Sequence, residues 1–216
     1  MRAPSSKVQW LVWGGLGSLC AALFVASVWQ RTHSLPSGSA PLPNFFSVPD
    51  FALTNQTGQV VTLADLRGNL WLVDIIFTRC AGPCPDMTRR MAELQAQFAS
   101  EPRLRLITLT TDPGHDTPAV LAAYARRFGA EAGRWHFLTG TKPQIAALAV
   151  EGLKLTAQDK DPAQQENPND LFIHSSMLVL VDGEGRARGI FESDDPELKM
   201  KTKLAVTALL RERVER

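Results

Sequence analysis

Three cysteines, four histidines and a single tyrosine are spread over 216 residues. So few cysteines exclude a small domain stapled by several disulfides. Excess charge of either sign is also missing, with 23 Lys+Arg against 22 Asp+Glu. That balance leaves no broad electrostatic footprint, so no nucleic-acid partner is expected. A disordered chain is excluded by composition: 44% of residues are hydrophobic, enough to fill the core of one ordinary globular domain. Internal repeats are absent too.

One deficit is local. Residues 1–31 hold Arg2, Lys7 and Arg31 but no acid, and 8–30 carry no charge at all. About 20 apolar residues suffice to span a bilayer core as a helix. Trp10, Trp13 and Trp29 lie near the ends of this run, where indoles favour the headgroup level. Arg2 and Lys7 precede it, so the positive-inside bias predicts residues 1–7 in the cytoplasm and the rest outside. A cleaved signal peptide would have a shorter apolar core and a small-x-small site, which Ala26-Ser-Val-Trp does not offer. Leu19 before Cys20 is the wrong size for lipoprotein cleavage. The expectation is a single-pass transmembrane anchor over 8–30 in the cell (inner) membrane, with the soluble part on the extracytoplasmic, periplasmic side. Residues 31–45 read as a Pro/Ser linker, and 46–216 as the folded domain.

Within that domain, Asp50–Thr54 and Gln59–Thr62 flank a turn and predict a hairpin. The apolar run Leu70–Phe77 has the pattern of a central parallel strand buried on both faces. A helix is predicted from Pro85 to about Ala99, with Met87, Met91, Leu94 and Phe98 on its core face. Strands at 103–110 and 135–138, helices at 118–128 and 143–151, a C-terminal hairpin and a last helix from Pro196 complete an α/β domain with a central mixed sheet. Thr156 to Asp170 has four acids, two prolines and almost no apolar side chain, and reads as a long loop. It reads equally as a mobile gate that orders when a metal or a partner binds or as a solvated surface insertion with no role.

Both cysteines of the domain fall in Phe77-Thr-Arg-Cys80-Ala-Gly-Pro-Cys84-Pro-Asp86, between the buried strand and the helix. The spacing brings both sulfurs together as a disulfide, a redox pair or two ligands of a soft metal ion. A loop this short makes a poor staple, since loop-closure stabilisation shrinks with loop length. Pro85 fits the first helical position, which places Cys84 at or just before the helix start. The positive helix end is expected to favour its thiolate. His174, ahead of the strand Ser176–Val181, is expected at the same sheet edge, where the loops of parallel strands gather. Asp74, six residues before Cys80, is a candidate proton relay for the pair, or an acid hydrogen-bonded within the sheet.

Three blocks, Phe77-Thr-Arg-Cys80-Ala-Gly-Pro-Cys84-Pro, Thr111-Asp-Pro-Gly-His-Asp-Thr-Pro118 and Ile173-His174-Ser-Ser-Met-Leu-Val-Leu-Val-Asp182-Gly, resemble the Sco/SenC family of membrane-anchored copper proteins. The resemblance implies a thioredoxin-like fold and one copper per chain, Cu(I) or Cu(II), on Cys80, Cys84 and His174. It also implies a metallochaperone that delivers copper to, or maintains the thiols of, the dinuclear copper site of cytochrome c oxidase subunit II. Other copper carriers or thiol reductases are further expected partners. A thiol–disulfide oxidoreductase, with Cys80 and Cys84 as its redox-active pair, and a copper or redox sensor are the competing readings. The chain departs from the family pattern at Gly114-His115, where a Glu-Arg type pair is usual, which leaves open whether His115 adds a copper contact or simply sits in solvent, the latter being favoured.

Overall fold

The computed structural model describes residues 41–165 and 172–214, and the backbone alone at 162, 173, 174, 213 and 214. The anchor expected over 8–30 lies outside the described residues. Among those described, no helix is long and apolar enough to cross a membrane.

An eight-stranded mixed sheet forms the centre. Its strands in chain order are β1 (Phe46–Ser47), β2 (Ala52–Asn55), β3 (Val60–Thr62), β4 (Leu70–Ile76), β5 (Leu104–Thr110), β6 (Trp135–Thr139), β9 (Met177–Val181) and β10 (Arg186–Glu192). Across the sheet they run β1-β10-β9-β4-β5-β6-β2-β3. The strands β4, β5 and β6 are parallel, and β9 lies antiparallel on the other side of β4. Every residue of β4 is buried, as its unbroken apolar run requires of a strand covered on both faces.

The side chains of β4 alternate between two cores. Leu70, Leu72 and Ile76 pack with Met87, Met91 and Leu94 of α2 (Cys84–Gln97), Leu121 and Tyr124 of α3 (Pro118–Arg127), and Val206 and Leu209 of α5 (Leu198–Val214). Trp71, Val73 and Ile75 face the other way, onto Leu63 and Leu66 of α1 (Leu63–Leu66) and Ile145 of α4 (Lys142–Ala146). Met87 and Met91 are therefore core residues, as their helical spacing predicts. Asp74 is even-numbered like Leu72 and Ile76, so its position on the strand faces α2.

Three expectations are corrected. The helix begins at Cys84 rather than Pro85, with Pro83 as its N-cap in helical conformation. The helix after Thr141 is α-helical only to Ala146 and widens to a π-turn over Ala147–Gly152. The segment from 156 is not a structureless loop. Ala157–Asp159 forms β7, which pairs antiparallel with β8 (Phe172–His174) as a separate two-stranded sheet, and Pro162–Gln164 makes one 3-10 turn. The ladder and an ion pair from Asp159 to Lys142 (2.9 Å) offset the scarcity of apolar side chains there. Part of the segment thus has regular secondary structure; residues 166–171 lie outside the described ones.

Ordered packing also starts before Phe46. Arg188, only 5% exposed, donates to the carbonyls of Leu42 (2.7 Å) and Pro43 (3.0 Å) and pairs with Asp182 and Glu212 (both 2.8 Å). Glu212 in turn accepts the Leu42 N–H at 2.9 Å. This clamp sits at the amino end of β4, the pole opposite the cysteines.

Candidate metal and thiol site

Three connections meet at the carboxyl edge of β4 and β5: the Cys80 loop after β4, the Asp112–Thr117 turn after β5, and the β7–β8 sheet. Phe172 of β8 packs edge-on against Phe77, with ring centroids 5.1 Å apart. Lys142 lies 5.8 Å over the outer side of the Phe172 ring. The backbone of His174 therefore arrives at the same edge as Cys80, opposite Ala157 in the β7–β8 ladder. Its imidazole is not among the described atoms.

Cys80 and Cys84 are not joined in a disulfide; Cys80 is half-buried and Cys84 fully buried. The Gly82 N–H donates to Cys80 Sγ at 3.3 Å, folding the loop over the outer sulfur. The Cys84 thiol is pushed far above the ordinary cysteine range. The first cause is its hydrogen bond with Cys80, then burial; the charges of Cys80 and Asp74 add to these, while a backbone hydrogen bond with Phe77 pulls the other way. The expected preference for thiolate at the helix end is thus opposed by the surroundings of Cys84. A helix terminus contributes only about 0.3–1 kcal/mol at exposed sites, which desolvation and neighbouring negative charge outweigh here. Asp74 is fully buried, and its influence on Cys84 and Tyr124 places it close to the pair electrostatically. Below Cys84, the Thr88 hydroxyl donates to the Cys84 carbonyl at 2.9 Å and meets the Tyr124 hydroxyl at 3.1 Å. Burial raises the Tyr124 phenol, so it stays neutral.

The residue that sequence reasoning missed is Asp116. Its carboxylate is completely buried and accepts from the Thr78 N–H (3.1 Å), the Thr78 hydroxyl (2.5 Å), the Thr110 hydroxyl (2.5 Å) and His115 Nδ1 (3.0 Å). Beside it, Arg79 pairs with Asp112 through Nε (2.8 Å) and Nη2 (2.7 Å). Two consecutive residues of the cysteine loop are therefore pinned to one turn after β5. An Asp-Pro-x-x-Asp string beside a cysteine block was the only signal of this in the sequence. The His115 side chain is 43% exposed, and one of its nitrogens is committed to Asp116.

A reduced cysteine pair between a buried parallel strand and the helix packed beneath it, on a mixed sheet, defines a thioredoxin-like dithiol protein. Comparison with known proteins narrows the class. The chain belongs to the SCO1/SenC family, whose family model matches residues 41–208. It is 33% identical over 146 residues to an SCO1 protein homolog of Bacillus subtilis (strain 168), covering 67% of this chain and 72% of the relative. A Stutzerimonas stutzeri protein named for copper binding is 30% identical over 151 residues, or 68% of this chain and 70% of that protein. Among solved structures, BsSco, a member of the Sco family of cytochrome c oxidase assembly proteins in which a disulfide switch was identified, superposes with a TM-score of 0.67. It has 28% identity and covers 79% of this chain and 98% of its own.

Proposed function

We propose that this chain carries copper in cytochrome c oxidase assembly. Cys80, Cys84 and His174 hold one copper ion as cargo, and the chain passes it to, or keeps reduced the thiols of, the dinuclear copper site of subunit II. The anchor at 8–30 tethers the domain on the extracytoplasmic side. The observation that carries this reading is the adjacent, interacting Cys80 and Cys84, with the backbone of His174 arriving at the same sheet edge. Family membership and the relatives named for copper binding and oxidase assembly support it.

The donor set suits the cargo. Two thiolates match Cu(I), and an added imidazole accommodates Cu(II). Three protein ligands leave the ion open to exchange, whereas a structural zinc site normally closes with four. A thiol bound to a metal gives up its proton, so loading the Cys84 site releases protons to solvent. We assign Asp74, buried on β4, as the candidate to pass one of them, the competing role being an acid hydrogen-bonded within the sheet.

Titration of the reduced full-length chain with Cu(I) and with Cu(II) tests the reading. One equivalent of either is expected to bind, and prior oxidation of the pair to a disulfide abolishes binding. His174→Ala is expected to weaken Cu(II) more than Cu(I), since two thiolates alone satisfy linear Cu(I). Full-affinity copper in Cys80→Ser/Cys84→Ser refutes the site. The alternative, a thiol–disulfide reductase or redox sensor, is favoured by the disulfide switch of BsSco. It predicts reduction of an oxidised subunit II peptide at the same rate with and without copper.

A further inference from the structure

His115 has the arrangement of a metal-ligating histidine. Ligating imidazoles almost always donate their second ring nitrogen to a carboxylate or carbonyl, which fixes the tautomer and raises the basicity of the free nitrogen. Asp116 Oδ1 lies 3.0 Å from His115 Nδ1. An aspartate carboxylate only accepts hydrogen bonds and has about four lone-pair sites. Here the four partners are the Thr78 N–H, two threonine hydroxyls and His115 Nδ1. Nδ1 therefore carries a hydrogen toward the carboxylate, and Nε2 is the ring nitrogen left to take a metal.

The rest of the turn holds the ring in place. The His115 and Asp116 N–H groups both donate to the Asp112 carbonyl, at 3.1 and 2.8 Å, and the Thr117 N–H donates to the His115 carbonyl at 2.8 Å. The His115 side chain is 43% exposed, and among the described residues nothing hydrogen-bonds Nε2. Asp116 Oδ1 accepts both His115 Nδ1 and the hydroxyl of Thr78, two residues before Cys80. The imidazole therefore stands beside the base of the cysteine loop, on a shared and fully buried carboxylate.

We infer that His115 Nε2 is a second, solvent-facing ligand for a borderline cation of the Cu(II) class, and that it receives such an ion before the cysteines do. This rests on the reading of Cys80 and Cys84 as the cargo site. Imidazole suits Cu(II), while Cu(I) prefers thiolate, so the two sites divide by ligand softness. A single nitrogen with water completing the shell holds the ion weakly enough to release it. Transfer is ligand exchange: the Nε2–Cu bond breaks, sulfur–Cu bonds form, the thiol protons leave to solvent, and the metal keeps its oxidation state.

Two measurements decide it. In the full-length chain carrying Cys80→Ser, Cys84→Ser and His174→Ala, substoichiometric Cu(II) is expected to broaden the NMR signals of the His115 ring before those of His33 and His136. Adding His115→Gln should then remove the corresponding nitrogen-coordinated Cu(II) signal in electron paramagnetic resonance. In the otherwise unaltered chain, His115→Gln should slow the appearance of thiolate-to-Cu(II) absorption about tenfold, taking the lower end of the losses typical for metal-site support, and leave the final amplitude unchanged. An undisturbed His115 ring, or an unchanged loading rate, overturns the inference. A chain whose cysteines take up no copper overturns the carrier reading instead, and the first measurement still reports on His115.

Discussion

Asp116 holds Thr78 twice, Oδ1 accepting its hydroxyl at 2.5 Å and Oδ2 its backbone N–H at 3.1 Å, across 38 residues of sequence. The bond ties the turn after β5 to the loop that carries Cys80. It gives the cysteine loop a defined shape although two of the three residues of its interior, Ala81-Gly-Pro83, are glycine and proline.

Removing that carboxylate should be felt well beyond the turn. Asp116→Ala strands the Thr78 N–H and the buried Thr110 hydroxyl, each unsatisfied group costing about 1–3 kcal/mol. A loss of roughly 2–4 kcal/mol is expected from urea unfolding followed by circular dichroism. An unchanged midpoint would show that water replaces the carboxylate without penalty.

The two thiols should differ in reactivity. Cys80 is half-buried, whereas Cys84 has no exposed surface and its thiol is held protonated. Since the thiolate is the reactive form, iodoacetamide is expected to give a single adduct on the reduced native chain, at Cys80, and two in urea. Peptide mass mapping reads the result; equal labelling of Cys84 in the native state contradicts the structure.

Phe172 is the apolar foot by which the β7–β8 sheet stands on Phe77. Edge-on aromatic pairs contribute about 0.5–1.5 kcal/mol beyond their buried area. Phe172→Ala should speed amide exchange in Ala157–Asp159 by about tenfold, the equivalent of 1.4 kcal/mol, and leave the exchange of β4 nearly unaltered. If β7 exchanges at the same rate in both proteins, the foot carries no weight.

Acid should weaken the pole opposite the cysteines. Burial alone would raise the Asp182 carboxyl, but hydrogen bonds from Arg188 and then Arg186 and the backbone hold it below its ordinary value. A carboxylate depressed in the folded state stabilises the fold above its unfolded pKa, near 3.9, and loses that contribution as pH falls through the lower folded value. Asp182→Asn is therefore expected to lower stability at pH 7 and to flatten the loss of stability below about pH 5. Urea midpoints measured across pH check this, and parallel curves for the two proteins would refute it.

Elements whose pattern is local were legible in the amino-acid order. Continuous apolarity made β4 a buried central strand, the spacing of Met87, Met91 and Leu94 placed a helix over it, and the Cys80–Cys84 spacing put a thiol pair at their junction. The three motif blocks, in order, led to the family. What tertiary structure decided involves partners far apart in the chain. The Asp116–Thr78 tie, the Arg188 clamp on Leu42 and Pro43, the β7–β8 pairing and the raised Cys84 thiol each depend on groups brought together by folding. A carboxylate's surroundings have no periodicity along the chain, and the tendency of a helix end to favour thiolate is opposed only once the Cys80 hydrogen bond and burial surround Cys84. For the same reason His115, read as a solvent-facing residue from its neighbours in sequence, acquires a fixed tautomer only through a carboxylate that the fold has buried.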